Sequence, residues 1–254
     1  MDPGEGEQIL SREFLESSYA QLHQLGNLDT RAHALTLLEY NEIEDLERSI
    51  TIHEEAVQYT PLYDAQFAEH SNDLGVVSLN RFGLNCDIED VNRATTSFQN
   101  AVKVTDDTDL EMLNRLRQLG NCLISIYQVS RRENTLNQAI SVWERAAQLM
   151  QDGDCNLYAI MCNLGSSFQA RFGLSNDLND LARAISSFQA AVDLTPVGHD
   201  DKPALMSSLG GSFQLRFESL GDISDLDKAI GLKQMAIELT PDGHHNYSCD
   251  AFIL

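Results

Sequence analysis

Apolar residues recur at three- and four-residue spacing through most of the chain, and the clearest run is Leu178, Leu181, Ala184, Ile185, Phe188, Ala191, Val192 and Leu194. A helix turns once every 3.6 residues, so this spacing puts most of these side chains on one helical face. The pattern predicts two alternating kinds of helix. One kind, here called B, falls roughly at 44–59, 89–105, 135–150, 179–194 and 224–239, and the other, A, at 65–82, 109–128, 156–172 and 203–219. No segment keeps the two-residue alternation of a half-buried strand, and the expected fold is all-α.

The helices repeat. Leu-Gly occurs at Leu74-Gly75, Leu119-Gly120, Leu164-Gly165 and Leu209-Gly210, each pair 45 residues after the last. Two alanine columns keep the same step, Ala94, Ala139, Ala184 and Ala229, then Ala101, Ala146, Ala191 and Ala236. Between them stand Phe98, Trp143 and Phe188, with Lys233 in the last copy. Pro61, Pro196 and Pro241 follow the B helices, and Asp106 and Gln151 take the two middle registers. Glycine inside a helix costs about 1 kcal/mol relative to alanine, so its return in four copies calls for a packing reason. The expectation is close approach of the next B helix, with the aromatic filling the space beside the contact.

A charged column runs through the A-to-B turns. Arg81, Arg171 and Arg216 precede Asp90, Asp180 and Asp225 by nine residues, and the remaining copy has Ile126 and Thr135 in their place. Loss of both members together suggests that they pair across the turn. An exposed pair would contribute about 0–1 kcal/mol and would act on register more than on bulk stability. Asp87, Asp177 and Asp222 stand where an N-cap would accept the first orphan amides of each B helix.

In order and relative spacing, the Leu-Gly, Ala, aromatic, Ala and Pro landmarks resemble the tetratricopeptide repeat, over about residues 43 to 241. The family unit of about 34 residues is lengthened here by about seven residues in the A-to-B turn and about four in the B-to-A turn. In this the chain is similar to the long tetratricopeptide arrays of mushroom-forming fungi. Those arrays often precede a CHAT-type peptidase domain or accompany a nucleotide-binding signalling domain, neither of which is visible in this sequence. The resemblance implies an α-solenoid of antiparallel helix pairs over residues 19–241, with the A helices lining a concave groove. It places Asn72, Asn80, Arg117, Asn121, Ser125, Ser166, Gln169, Ser207 and Gln214 on that groove. Amides and hydroxyls there suit an extended peptide or a docked helix, although an ordinary solvated surface would look the same. The carboxylate clamp used by chaperone-tail binders of the family is not matched, because its places hold Glu69, Asn114, Ala159 and Ala204.

Composition narrows the partner classes. With 17 Lys and Arg against 39 Asp and Glu, the formal net charge is −22. Such a surface repels nucleic acid and anionic lipid and favours a basic partner, or simply keeps the protein soluble. Cys86, Cys122, Cys155, Cys162 and Cys249 form no C-x-x-C pair and no disulfide framework, which fits a reducing, cytoplasmic setting. The acidic start carries no basic and apolar leader, and no apolar run spans a bilayer.

The search for chemistry finds none. His199 and His244 sit in Pro-x-Gly-His turns, His245 follows the second, and His33, His53 and His70 have no metal-ligand spacing around them. Cys122 and Cys162 stand among apolar neighbours, as buried inert thiols do. No phosphate-cradling glycine motif opens a helix. No cofactor, metal or catalytic group is therefore expected.

The leading reading is a non-enzymatic scaffold that holds a protein or peptide, and the alternative is a regulatory arm of a larger peptidase or signalling protein. Residues 1–18 are expected to be disordered, Tyr19 to Tyr40 to form a degenerate first A helix, and 242–254 an irregular tail. The end of the last B helix is expected to lack a complete capping helix, as in a fragment, a truncated gene model or a chain that self-associates through that end.

Overall fold

The computed structural model describes residues 43–150 and 156–240. The expectations for 1–18, for Tyr19 to Tyr40, for the register of Gln151 and for the segment from Pro241 onward lie outside the described residues. Those residues contain nine α-helices and no strand. They are α1 (Ile43–Tyr59), α2 (Ala65–Asn85), α3 (Ile88–Val104), α4 (Met112–Ser130), α5 (Glu133–Leu149), α6 (Leu157–Ser175), α7 (Leu178–Leu194), α8 (Lys202–Leu220) and α9 (Ile223–Leu239). The even-numbered helices carry the Leu-Gly pairs.

What ends each Leu-Gly helix is a single left-handed residue. Cys86, Arg131, Asn176 and Gly221 have φ of 54°, 52°, 54° and 75°, one in each copy. Their amides donate back to the carbonyls of Phe82, Tyr127, Phe172 and Phe217, closing the last turn. The next residue starts the following helix. The carboxylates of Asp87, Asp177 and Asp222 accept from the amides of Glu89, Asn179 and Ser224, whereas Arg132 in the divergent copy makes no side-chain cap. These left-handed stops lie beyond the arginines, and α2 and α6 therefore run to Asn85 and Ser175, three residues past their sequence-based ends at 82 and 172. At the ends of the odd helices, the hydroxyls of Thr60, Thr105, Thr195 and Thr240 donate to the carbonyls of Ala56, Ala101, Ala191 and Ala236 at 2.7 Å each.

The chain divides into two compact units, residues 1–115 and 116–254. In the first, α2 packs on both α1 and α3; in the second, α6 packs on α5 and α7, and α8 on α7 and α9. Aromatic rings on glycines organise both cores. A Cβ placed on Gly75 would lie 2.5 Å from the ring of Phe98, and one on Gly165 would lie 2.8 Å from the ring of Phe188. Trp143 covers Gly120 more tightly still. The glycine is thus required by the ring itself, which is seated on it, and not by the backbone of the B helix with the ring filling space at its side. Trp143, Phe98 and Phe188 are among the largest fully buried side chains. Nε1 of Trp143 has no hydrogen-bond partner among the described residues, so shape alone holds that ring.

Only the last pair, without an aromatic, fits the backbone expectation. A Cβ on Gly210 would lie 3.2 Å from the carbonyl oxygen of Ala229 and 3.3 Å from Cγ of Lys233, a flexible chain that can move aside. The two kinds of seat should respond differently to one methyl group. Gly165→Ala is expected to lower stability in urea unfolding by about 1–3 kcal/mol, the usual cost of overpacking. Gly210→Ala, which gains helix propensity and meets only a slightly tight carbonyl contact at 3.2 Å and a movable lysine, is expected to stay within about 1 kcal/mol of wild type. Equal costs at both sites would remove the ring seat as the reason for the glycine column.

Candidate functional site on the Leu-Gly helices

The arginine and aspartate columns meet as read from the sequence, and the geometry is bidentate. Arg81 Nε and Nη2 donate to Asp90 at 2.9 and 2.5 Å, Arg171 to Asp180 at 2.8 and 2.5 Å, and Arg216 to Asp225 at 2.7 Å twice. The expectation of an exposed pair is corrected, because the three aspartate side chains are only 0, 6 and 3% exposed. At Asp90, burial pushes the carboxyl up, but hydrogen bonds from Arg81 and Asn85 and the charges of Arg81 and Arg93 outweigh it and hold the group below its ordinary range. At Asp225 the hydrogen bond from Arg216 comes first among the causes that hold the carboxyl below its ordinary range, and the charges of Arg216 and Lys228 add to it.

Two of these arginines also reach the B helix before their own A helix. Arg171 Nη1 donates to Asn137 Oδ1 at 2.7 Å, and Arg81 Nη1 lies 3.9 Å from Glu47 in the same register. Each guanidinium therefore ties three helices together. Neighbouring B helices are joined directly as well, by Arg93 with Glu54 at 2.9 Å and by Arg183 with Glu144.

Because the carboxylates are buried, removing one partner should cost more than removing both. In urea unfolding at neutral pH, Arg171→Ala leaves the Asp180 carboxylate buried and uncompensated and is expected to cost about 3 kcal/mol. The pair of substitutions Arg171→Ile and Asp180→Thr, which copies the divergent repeat, is expected to cost less than the single change. If the double variant is the less stable of the two, the clamp is not what holds this turn.

The nine groove candidates are divided between the units, Asn72 and Asn80 in the first and the other seven in the second. Within the second unit, Arg117, Asn121 and Ser125 lie on α4, Ser166 and Gln169 on α6, and Ser207 and Gln214 on α8. Arg117 is exposed and the other six are half-buried. The positions two and three residues after each glycine face the other way, since Cys122, Leu123, Ser167, Phe168, Ser212 and Phe213 are buried. Every A helix of this unit thus has one packed face and one polar, partly open face.

Some of the open-face groups are already engaged. Ser125 donates to the carbonyl of Asn121 at 3.1 Å, and Gln214 donates to Glu218 at 2.9 Å while accepting from Lys233 at 2.6 Å. Among the described residues no side-chain hydrogen bond engages the amides of Asn121 and Gln169, which leaves them able to pair with a ligand's backbone.

The other candidate chemistries resolve into structure. His53 is fully buried, and burial together with the neighbouring His70 lowers its pKa to about 4, so it is a neutral core side chain at pH 7. His199 belongs to the turn before α8, where its amide donates to the Pro196 carbonyl and its Nδ1 accepts from the amide of Asp201. The Tyr158 hydroxyl donates to Asp201 at 2.8 Å and its ring packs edge-on against His199. Cys122 and Cys162 are buried thiols, while Cys86 is exposed. Among the described residues no group of three or more His, Cys, Asp or Glu could hold a metal ion, and no helix is long and apolar enough to cross a membrane.

Helix pairs packed through a glycine under a large side chain, an aromatic ring in three of the four, define an all-α fold of the tetratricopeptide type within each unit. Comparison with solved structures gives the same fold. The structure of BtubC (BKLC) from P. vanneervenii is similar with a TM-score of 0.62 and 13% identity, over 98% of each chain. A MamA crystal structure is similar with a TM-score of 0.55 and 16% identity, over 84% of this chain and 96% of that one. A putative kinesin light chain from Podosopora anserina, described as having nearly identical TPR-like repeats, gives 0.51 and 13% over 89% and 96%. No family model and no curated protein matches the sequence.

Proposed function

We propose that the protein is a non-enzymatic scaffold that binds an extended peptide or a helix on the polar face of α4, α6 and α8. The observation that carries this reading is the pair of unengaged amides on the open faces of successive Leu-Gly helices, Asn121 one residue after Gly120 and Gln169 four residues after Gly165. Free amides on neighbouring helices can pair with successive polar groups of a peptide backbone or of a docked helix. The net charge of −22 supports a basic partner, drawn in by the field of the whole chain and held in place by the local amides. The likeness to helix-pair repeat proteins supports a binding role through the fold alone.

A peptide-display selection on the whole protein tests the reading. Wild type is expected to enrich basic peptides. Asn121→Ala with Gln169→Ala is expected to weaken their binding about tenfold, since each lost hydrogen bond contributes about 0.5–1.5 kcal/mol. A melting temperature equal to that of wild type checks that the variant is folded. Enrichment of the same peptides with undiminished affinity would remove this face as the site, and failure of wild type to enrich any peptide would remove the scaffold reading.

A further inference from the structure

The first helix pair, α1 with α2, carries polar side chains at registers that are apolar elsewhere in the chain. His53 of α1 stands 45 residues before Phe98 and so holds the ring register of the later B helices. On α2, His70 takes the register of Ile160 and Leu205, and Ser71 that of Leu116 and Met206. All of these residues are buried, His53 and Ser71 completely. Both ring nitrogens of His53, Oγ of Ser71 and Oδ1 of Asn72 have no hydrogen-bond partner. They are four of the six buried side-chain atoms without a partner among the described residues, so the unsatisfied groups concentrate on α1 and α2. The apolar part of the contact is small, with Leu46 and Ile50 of α1 clustered with Leu74 and Val77 of α2.

An imidazole buried without a partner is stable there only while neutral, because the imidazolium carries a charge and two N–H donors that need acceptors or water. The charges that face α1 from its neighbours do not offset a second positive charge. His70 of α2 opposes it, and Arg81 of α2 and Arg93 of α3 are themselves cations, set against Glu47 and Glu54 of α1 at 3.9 and 2.9 Å. We propose that the contact between α1 and α2 is an acid-sensitive latch, in which protonation of His53 releases α1 from α2 and uncovers Leu74 and Val77. Burial first and His70 second hold His53 at about 4 in the closed contact, against 6.5 for an ordinary imidazole. Between these values the open form binds the proton and the closed form does not. The latch is therefore fully closed above pH 6.5 and weakens as pH falls through that window towards 4. Asp90, whose carboxyl lies below its ordinary range, stays ionised across the upper part of the window and leaves the response to His53.

Amide hydrogen exchange on the whole protein, read by mass spectrometry and corrected for the intrinsic effect of pH on exchange, tests the latch. Protection of the α1 amides is expected to fall about twentyfold from pH 7 to pH 5, while that of α7 changes by less than about threefold. His53→Phe restores the ring of the later copies, and His53→Gln stays polar without a titratable group. In each, α1 protection is expected to change by less than about threefold over the same range. Each protein is compared with itself at two pH values, so a variant of lower stability still gives an answer. Wild-type protection that does not change, or equal losses in wild type and both variants, would overturn the proposal. A proton NMR titration of wild type needs no variant. One of the seven imidazoles is expected to titrate below about pH 5, and seven curves all centred near 6.5 would contradict the latch. Neither readout involves a peptide, so the latch can fail while the proposed function stands, and the reverse.

Discussion

The structure depends on seating a large ring on a residue that has no side chain. In three of the four described Leu-Gly helices, the ring of Phe98, Trp143 or Phe188 occupies the place a Cβ would need. This lets two helices approach closely while the ring fills the volume between them, which is the density a protein interior requires. The alanines one turn to either side serve the same approach, since Ala94, Ala139, Ala184, Ala101, Ala146 and Ala191 are all fully buried. The helix loses intrinsic propensity at each glycine and recovers more through burial of an aromatic side chain. In the last pair the glycine, Gly210, stays while Lys233 replaces the ring and reaches across to Gln214.

Once the rings fix how neighbouring helices pack, the charged clamps fix how successive pairs are connected. A lengthened A-to-B turn could meander, and each copy but one restrains it with a left-handed stop, an aspartate cap and an arginine bound in two places to a buried aspartate. The arginines lie over rings of the same A helices, Arg171 at 5.5 Å from the Phe168 ring centroid and Arg216 at 5.2 Å from that of Phe213. Burial makes this arrangement specific in a way an exposed ion pair is not, because a misplaced turn would leave a carboxylate both dry and unpaired. The divergent copy has neither charge, and its turn is closed by Arg131 and Arg132 without a side-chain cap.

Much of this was legible in the sequence because one chain contains several copies of the same experiment. Columns at a step of 45 residues located the glycines, the alanines, the rings and the paired arginines and aspartates before any coordinates. What stayed hidden were contacts whose residue types vary while their geometry does not. The left-handed position is filled by cysteine, arginine, asparagine and glycine in turn, and only Gly221 betrays it by type. The threonine column was present at four of five registers and could have been found by the same subtraction. The depth of Asp90, Asp180 and Asp225 was not legible, since aspartate is usually exposed and only packing shows otherwise. The polar face of α4, α6 and α8 was the least legible part, because asparagine, serine and glutamine on a helix look alike whether they meet a ligand or water.

A double-mutant cycle between Gly120 and Trp143 tests the ring seat most directly. If the glycine exists for the ring, Gly120→Ala destabilises the wild-type protein but costs nothing measurable, or even stabilises, once Trp143→Leu has removed the indole. The same loss of stability from Gly120→Ala in both backgrounds would contradict the account, since the methyl group would then be clashing with something other than the ring.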